Sequence, residues 1–170
     1  MQNRDRRWSP MREAIKQSME PILKNSGVRE VSFGENVTVI TPVNIYECSI
    51  GDHCSIGPFT EIQRGVNIGN RCRIQSHTFI CEGVSMGNDC FIGHGVMFIN
   101  DRFSEGSPAG DPSKWERTFI GNNVSIGSNA TILPVEICDH VVIGAGAVVS
   151  KHITIPGTYA GNPAVLLNAK

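Results

Sequence analysis

From Ile50 onward an aliphatic or other large apolar residue returns every sixth position, at Ile50, Ile56, Ile62, Ile68, Ile74, Ile80, Met86, Ile92 and Phe98. Two positions before each stands a small or branched residue: Cys48, Cys54, Thr60, Val66, Cys72, Thr78, Val84, Cys90 and Val96. Five of the nine are followed by glycine. The beat stops after "FIND" at Asn100 and Asp101. It resumes as Ile120, Ile126 and Ile132, slips by one residue, and continues through Ile137, Ile143, Val149 and Ile155. Upstream it is weaker, at Phe33, Val39 and Ile45. A period of six is neither helical nor plain two-residue alternation. It predicts a very short strand and a turn, repeated, with the aliphatic and the small residue facing inward. The glycine after the aliphatic is read as the residue that frees the turn of a Cβ clash.

Three hexapeptides make one triangular coil of eighteen residues, and stacked coils make a parallel β-helix. Residue spacing agrees: Cys54, Cys72 and Cys90 fall eighteen apart, as do Thr60, Thr78 and Val96, and Cys48, Val66 and Val84. A column of inward thiols about 4.8 Å apart is core packing, whereas a metal would need ligands converging on one point. The expected fold class is therefore all-β: a parallel β-helix of about six coils over residues 31–158, with one inserted loop at about 103–118. A C-terminal tail fills 159–170.

An N-terminal extension, 1–30, contains the one predicted helix, "SPMREAIKQSMEPILKN", over 9–25. Ser9 can N-cap it, Pro10 suits its first turn, and Gly27 can end it. Met11, Ile15, Met19, Ile22 and Leu23 share a face suited to covering the open end of the solenoid.

Net charge is −1, so no electrostatic ground exists for nucleic acid or an anionic membrane as the main partner. "RDRR" near the start lacks a following apolar stretch and does not read as a secretory signal. No run of about eighteen apolar residues offers a membrane-spanning helix. The six cysteines read as reduced thiols. A cytoplasmic location is expected.

The corners carry the candidate chemistry. Arg64, Glu82 and Asn100 each lie two residues past their aliphatic and eighteen apart, which places them in one column. Arg64 and Glu82 read either as a cross-coil ion pair or as substrate contacts. His77 and His94 follow Ile74 and Ile92 and fall on one edge, either as inert turn residues or as groups touching substrate. The loop leaves just after Asn100. Asp101 reads either as a turn residue opening it or as a group touching substrate.

The hexapeptide pattern resembles the left-handed β-helix acyltransferases, and left-handed coiling is what that resemblance implies. The tail "IPGTYAGNPAVLLNAK" is similar to the G-x-P-A ending common in acetyl-CoA-using members. In the hydroxyl-acetylating branch a catalytic histidine stands near the inserted loop in a stretch like T-x-x-H-P; here that place reads "FINDRF". "IGHGVMFIND" and "IQSHTFICEGV" instead resemble the nucleotide-sugar N-acetyltransferases that acetylate a 3-amino sugar during surface-polysaccharide (lipopolysaccharide) synthesis. Members often continue ND-x-(Y/F)-P-R; this chain departs from them with "NDRFSEG".

The resemblance implies a homotrimer with active sites between subunits and acetyl-CoA as cosubstrate. The sugar is linked to dTDP or UDP. Asn100 is the key active-site residue, with Asp101, His94 and His77 as further catalytic candidates. Arg64, Glu82 and Arg102 are candidates for the sugar nucleotide. Ala145, Gly146, Lys151, Ala160, Gly161 and Pro163 are candidates for the coenzyme. An O-acetyltransferase using a histidine base, and an inactive trimeric scaffold, are the alternatives. No metal is expected: γ-class carbonic anhydrases share the fold and a G-H segment, but their second histidine, five residues on, is Ile99 here.

Overall fold

The computed structural model of the chain describes residues 25–167. The helix expected over 9–25 lies, but for Asn25, outside the described residues. Among the described residues twenty-one strands of two to four residues wind into three sheets of seven, six and eight strands. The first face holds Asn44–Tyr46, Glu61–Ile62, Phe79–Ile80 and Met97–Phe98. The second holds Ser49–Ile50, Asn67–Ile68, Val84–Met86 and Thr118–Ile120. The third holds Ser55–Ile56, Arg73–Ile74, Phe91–Ile92 and Ser125–Ile126. Pairing is parallel throughout, except where Val165–Leu166 turns back antiparallel on Gly157–Ala160. The fold is an all-β solenoid of about seven turns. The six expected coils gain one because Val28–Arg29 and Gly157–Ala160 also join the sheets.

Register stacks like on like. Ile50 pairs with Ile68 and Ile68 with Met86; Ile56 pairs with Ile74 and Ile74 with Ile92. These aliphatics are buried, as are Cys54, Cys72, Cys90, Thr60 and Thr78. The small inward residues also satisfy corner carbonyls. Cys54 Sγ donates to Gly69 O (3.1 Å) and Cys72 Sγ to Gly87 O (3.2 Å). Thr78 Oγ1 reaches both Gln75 O (2.8 Å) and Gly93 O (3.1 Å). Thiol and hydroxyl therefore do the same work in their columns, because a buried carbonyl needs a donor.

The glycines after the aliphatics act differently from the reading above. A Cβ on Gly69 would lie 2.6 Å from Gly87 O, and one on Gly93 would lie 2.6 Å from Ser128 N. They are glycines because the next coil passes too close for a side chain. The left-handed turn position falls two residues later, and non-glycine residues often hold it: His53, Phe59, Arg71, His77 and Asp89 have φ between 50° and 62°.

One edge, between the second and third faces, is tied by a side-chain ladder. Asn70 Oδ1 accepts from Asp52 N (2.9 Å), Asn88 Oδ1 from Asn70 N (2.7 Å), Asn122 Oδ1 from Asn88 N (2.9 Å) and Asp139 Oδ1 from Asn122 N (2.7 Å).

The inserted loop starts two residues earlier than the sequence suggests. Val84 pairs with Thr118, a separation sixteen greater than the eighteen that relates Asn67 to Ser85. Glu116 N donates to Asn100 O at 2.9 Å and closes a neck, so the extra residues are 101–116. The expected range of 103–118 counted the returning strand as loop.

Candidate active site

Two edges of the solenoid collect the candidate residues. Along the edge between the third and first faces, Gly95 N donates to Ser76 O, Asn129 N to His94 O, and Gly146 N to Ser128 O. This ladder aligns Ser76, His94, Ser128 and Ala145 in one column and His77, Gly95, Asn129 and Gly146 in the next. His94 therefore stands over Ser76, not over His77, and its Nδ1 lies 2.8 Å from Ser76 Oγ. His77 instead stacks on Phe59 of the preceding coil, with ring centroids 4.9 Å apart and planes 6° from parallel.

Ala145 and Gly146 are exposed, two coils beyond His94, a distance of about 10 Å. The chain passes this edge once more: Val148 N donates to Gly161 O, and a Cβ on Gly144 would sit 3.0 Å from that of Ala160. Ala145, Gly146, Ala160, Gly161 and, two residues on, Pro163 thus form a small-residue surface beyond the histidines. Lys151 does not join them. It follows Val149 off the first face and lies on the other edge.

That other edge, between the first and second faces, carries Arg64, Glu82 and Asn100 in the expected column. Arg64 Nε and Glu82 Oε2 form an ion pair at 2.8 Å. Asn100 Nδ2 donates to Glu82 O at 3.1 Å, while its backbone carbonyl holds the loop neck. The side chain is fixed at one end and, among the described residues, keeps Oδ1 free as an acceptor. Asp101 uses both carboxylate oxygens inside the loop, accepting from Phe103 N (2.9 Å) and Ala109 N (2.7 Å). Arg102 donates to Pro134 O and pairs with Glu116 at 3.3 Å, strapping the loop to the following coil.

Asn100 follows His94 by six positions, so the two edges are at most about 20 Å apart across the first face. Tyr46, Phe79 and Met97 point outward between them; Met97 is exposed and Phe79 half-buried.

The loop then folds over the second face. There a groove of about 350 Å³ has Asn67 and Ser85 on its floor and Trp115 and Arg117 on its wall. The sequence reading marked none of these four. Outward strand positions carry no periodic constraint, and only the tryptophan in a mostly polar loop was a signal. Exposed His152 accepts from Glu136 N through Nδ1 at 3.0 Å. Among the described residues no group of three or more His, Cys, Asp or Glu could hold a metal ion, and no helix is long and apolar enough to cross a membrane.

Comparison with known proteins gives the coils a family character. The family described as bacterial transferase hexapeptide (six repeats) matches residues 47–82, and the hexapeptide repeat of succinyl-transferase matches 117–151. The chain carries the transferase hexapeptide repeat. The two hexapeptide matches flank the loop and its neck.

A bifunctional protein GlmU of Streptococcus uberis is 34% identical over 132 residues, covering 73% of this chain and 29% of that protein. The chain spans less than a third of the curated relatives it matches, at 29% and 27% of their length. Among solved structures, a hexapeptide transferase family protein from Anaplasma phagocytophilum aligns with TM-score 0.65 at 19% identity, over 84% of this chain and 82% of that one. A point variant of AntD, an N-acyltransferase from Bacillus cereus in complex with dTDP and coenzyme A, aligns with TM-score 0.63 at 24% identity, over 82% and 83%. A hexapeptide-repeat acetyltransferase from Vibrio cholerae O1 biovar eltor, complexed with acetyl coenzyme A, aligns with TM-score 0.57 at 20% identity, over 80% and 69%.

Proposed function

We propose that this protein is a hexapeptide-repeat acyltransferase that moves an acetyl group from acetyl-CoA to the amino group of a dTDP- or UDP-linked amino sugar for surface-polysaccharide synthesis. The observation that carries the reading is the state of Asn100: a clamped amide with a free acceptor, at the mouth of the loop, where a hydroxyl-acetylating enzyme would need a base. An unprotonated amine is already a nucleophile. It needs a positioned acceptor for one N–H and a held thioester, not proton abstraction before attack. The amine nitrogen attacks the thioester carbon, the C–N bond forms as the C–S bond breaks, and the amine proton leaves with the coenzyme sulfur. Asn100 Oδ1 accepts from the amine. Asp101 acts through the loop it organises.

The coenzyme lies along the small-residue surface of Ala145, Gly146, Ala160, Gly161 and Pro163, where missing side chains let the pantetheine arm approach backbone amides. That surface and Asn100 lie on different edges of one chain. A closed ring of copies brings the histidine edge of one protomer to the Asn100 edge of the next, with Phe79 and Met97 between them. A homotrimer follows, and Lys151 then meets a coenzyme phosphate held by the neighbour.

The test is a panel of dTDP- and UDP-linked 3-amino and 4-amino sugars with acetyl-CoA, set beside their hydroxy counterparts and read by thiol release. Turnover of an amino sugar and not of its hydroxy twin is expected. The reverse pattern gives precedence to a second reading, O-acetylation. The Ser76–His94 pair favours that one: in the tautomer that donates from Nδ1 to Ser76 Oγ, the Nε2 lone pair is free to take a proton.

A further inference from the structure

The groove beneath the loop is built from a single chain. Its floor is the second face, at Asn67 and Ser85, with side-chain-free gaps at Gly65 and Gly83; its wall is the loop's returning limb. The volume, about 350 Å³, falls in the range of small-ligand sites, about 300–1,000 Å³.

Its charge is not balanced. The two carboxylates that line it are both neutralised by partners: Glu82 by Arg64 at 2.8 Å and Glu116 by Arg102 at 3.3 Å. Arg117 also lines the groove, and among the described residues it has no carboxylate or other side-chain partner. The groove therefore keeps one uncompensated guanidinium, a group suited to phosphate oxygens. Beside it stands half-buried Trp115, whose backbone N–H donates to Pro112 O at 3.1 Å. An indole next to a free arginine, over a floor of amide and hydroxyl, fits a flat ring bearing an anionic tail.

We infer that this groove binds the nucleoside diphosphate half of the substrate, with the base against Trp115 and the diphosphate on Arg117. The inference rests on the nucleotide-sugar reading and adds where the nucleotide lies and which residues hold it. The sugar then extends over Glu82 toward Asn100, whose side chain bonds the Glu82 carbonyl. The loop recognises the nucleotide within one chain, while acyl transfer uses the edge between chains.

Trp115 supplies its own reporter, because the chain has two tryptophans and the other is Trp8. In a Trp8→Phe background, dTDP and UDP are titrated separately against the intrinsic fluorescence. Saturable quenching is expected with at least one of them, weakening as salt rises. Arg117→Gln should raise the dissociation constant about tenfold or more and flatten the salt dependence. Arg73→Gln, an exposed arginine on the third face, should leave it unchanged. Calorimetry on Trp115→Leu should show a comparable loss, with far-UV circular dichroism confirming the fold of each variant.

The inference is overturned if neither nucleotide quenches, if Arg117→Gln binds as tightly as the parent, or if Arg73→Gln loses as much. Steady-state kinetics keep the two proposals apart. If amino nucleotide sugars are turned over and Arg117→Gln leaves their KM unchanged, the groove assignment falls and the transferase reading stands. If nucleotide binds through Trp115 and Arg117 but no amino sugar is acetylated, the groove assignment stands and the reaction assignment falls.

Discussion

Replacing Asn100 by alanine separates the residue's structural part from its chemical one. The side chain makes one hydrogen bond, from Nδ2 to Glu82 O at 3.1 Å, worth about 1 kcal/mol net. The neck does not depend on it, because the Glu116 N bond goes to the Asn100 backbone carbonyl. The variant should fold, lose about 1 kcal/mol of stability, and keep its loop. Removing a preorganised group that meets the reacting centre costs about a hundredfold or more in turnover, about 2.7 kcal/mol at 1.36 kcal/mol per tenfold. The chemical effect thus exceeds the structural one and should appear in kcat at saturating acetyl-CoA. Thiol release measures turnover, and urea denaturation measures stability. Asn100→Asp keeps the shape but sets a carboxylate against the Glu82 carbonyl, so it should be slow as well. An Asn100→Ala protein with full turnover, alongside an inactive but folded His94→Asn, would refute the amide mechanism and support the histidine base.

Three further outcomes are expected. Thr78→Val removes a buried hydroxyl that donates to Gln75 O and Gly93 O and should cost about 2 kcal/mol; a urea-midpoint change worth under about 0.5 kcal/mol would contradict that role. Asp139 has its carboxyl held below the usual value of 3.8 by the Asn122 backbone N–H, so its contribution is present above that value and lost as pH falls through the lower native one. Asp139→Asn keeps an acceptor without the charge, so it should give up that contribution at neutral pH and converge on the parent as pH falls below about 4, which makes its acid limb shallower. Burial pushes the Cys48 thiol up to about 11 and Cys81 up to about 12. Native protein should therefore expose only half-buried Cys138 to rapid thiol labelling, and denatured protein all six cysteines.

The coils were legible because one physical demand, an inward apolar residue at each strand, repeats until chance is excluded. The loop was legible as the loss of that demand after Phe98. Following Ile74 and Ile92 does put His77 and His94 on one edge, but counting eighteen from Ser76 gives the actual neighbour of His94; the column, not the shared edge, fixes what a corner residue meets. The glycines showed the limit of local reasoning. Gly69 and Gly93 looked like turn residues, but their constraint comes from a coil eighteen or more positions away. The groove was less visible still. Asn67 and Ser85 face solvent, where no period acts on them, and Trp115 reaches them only through the path of an irregular loop.

The neck at Asn100 and Glu116 has a consequence for how such a protein can change. The coils on either side meet in register whatever the length of chain between the two neck residues, so the loop adds only a closure entropy. Doubling the length of a flexible loop costs only about 0.6 kcal/mol, less than one good hydrogen bond. Insertions or deletions at 101–116 can therefore reshape the wall around Trp115 and Arg117 at almost constant stability. Ligand recognition by the groove and thermal tolerance are in that sense separately heritable: a lineage can change what the wall accepts by loop length alone, with every coil beneath it left as it was.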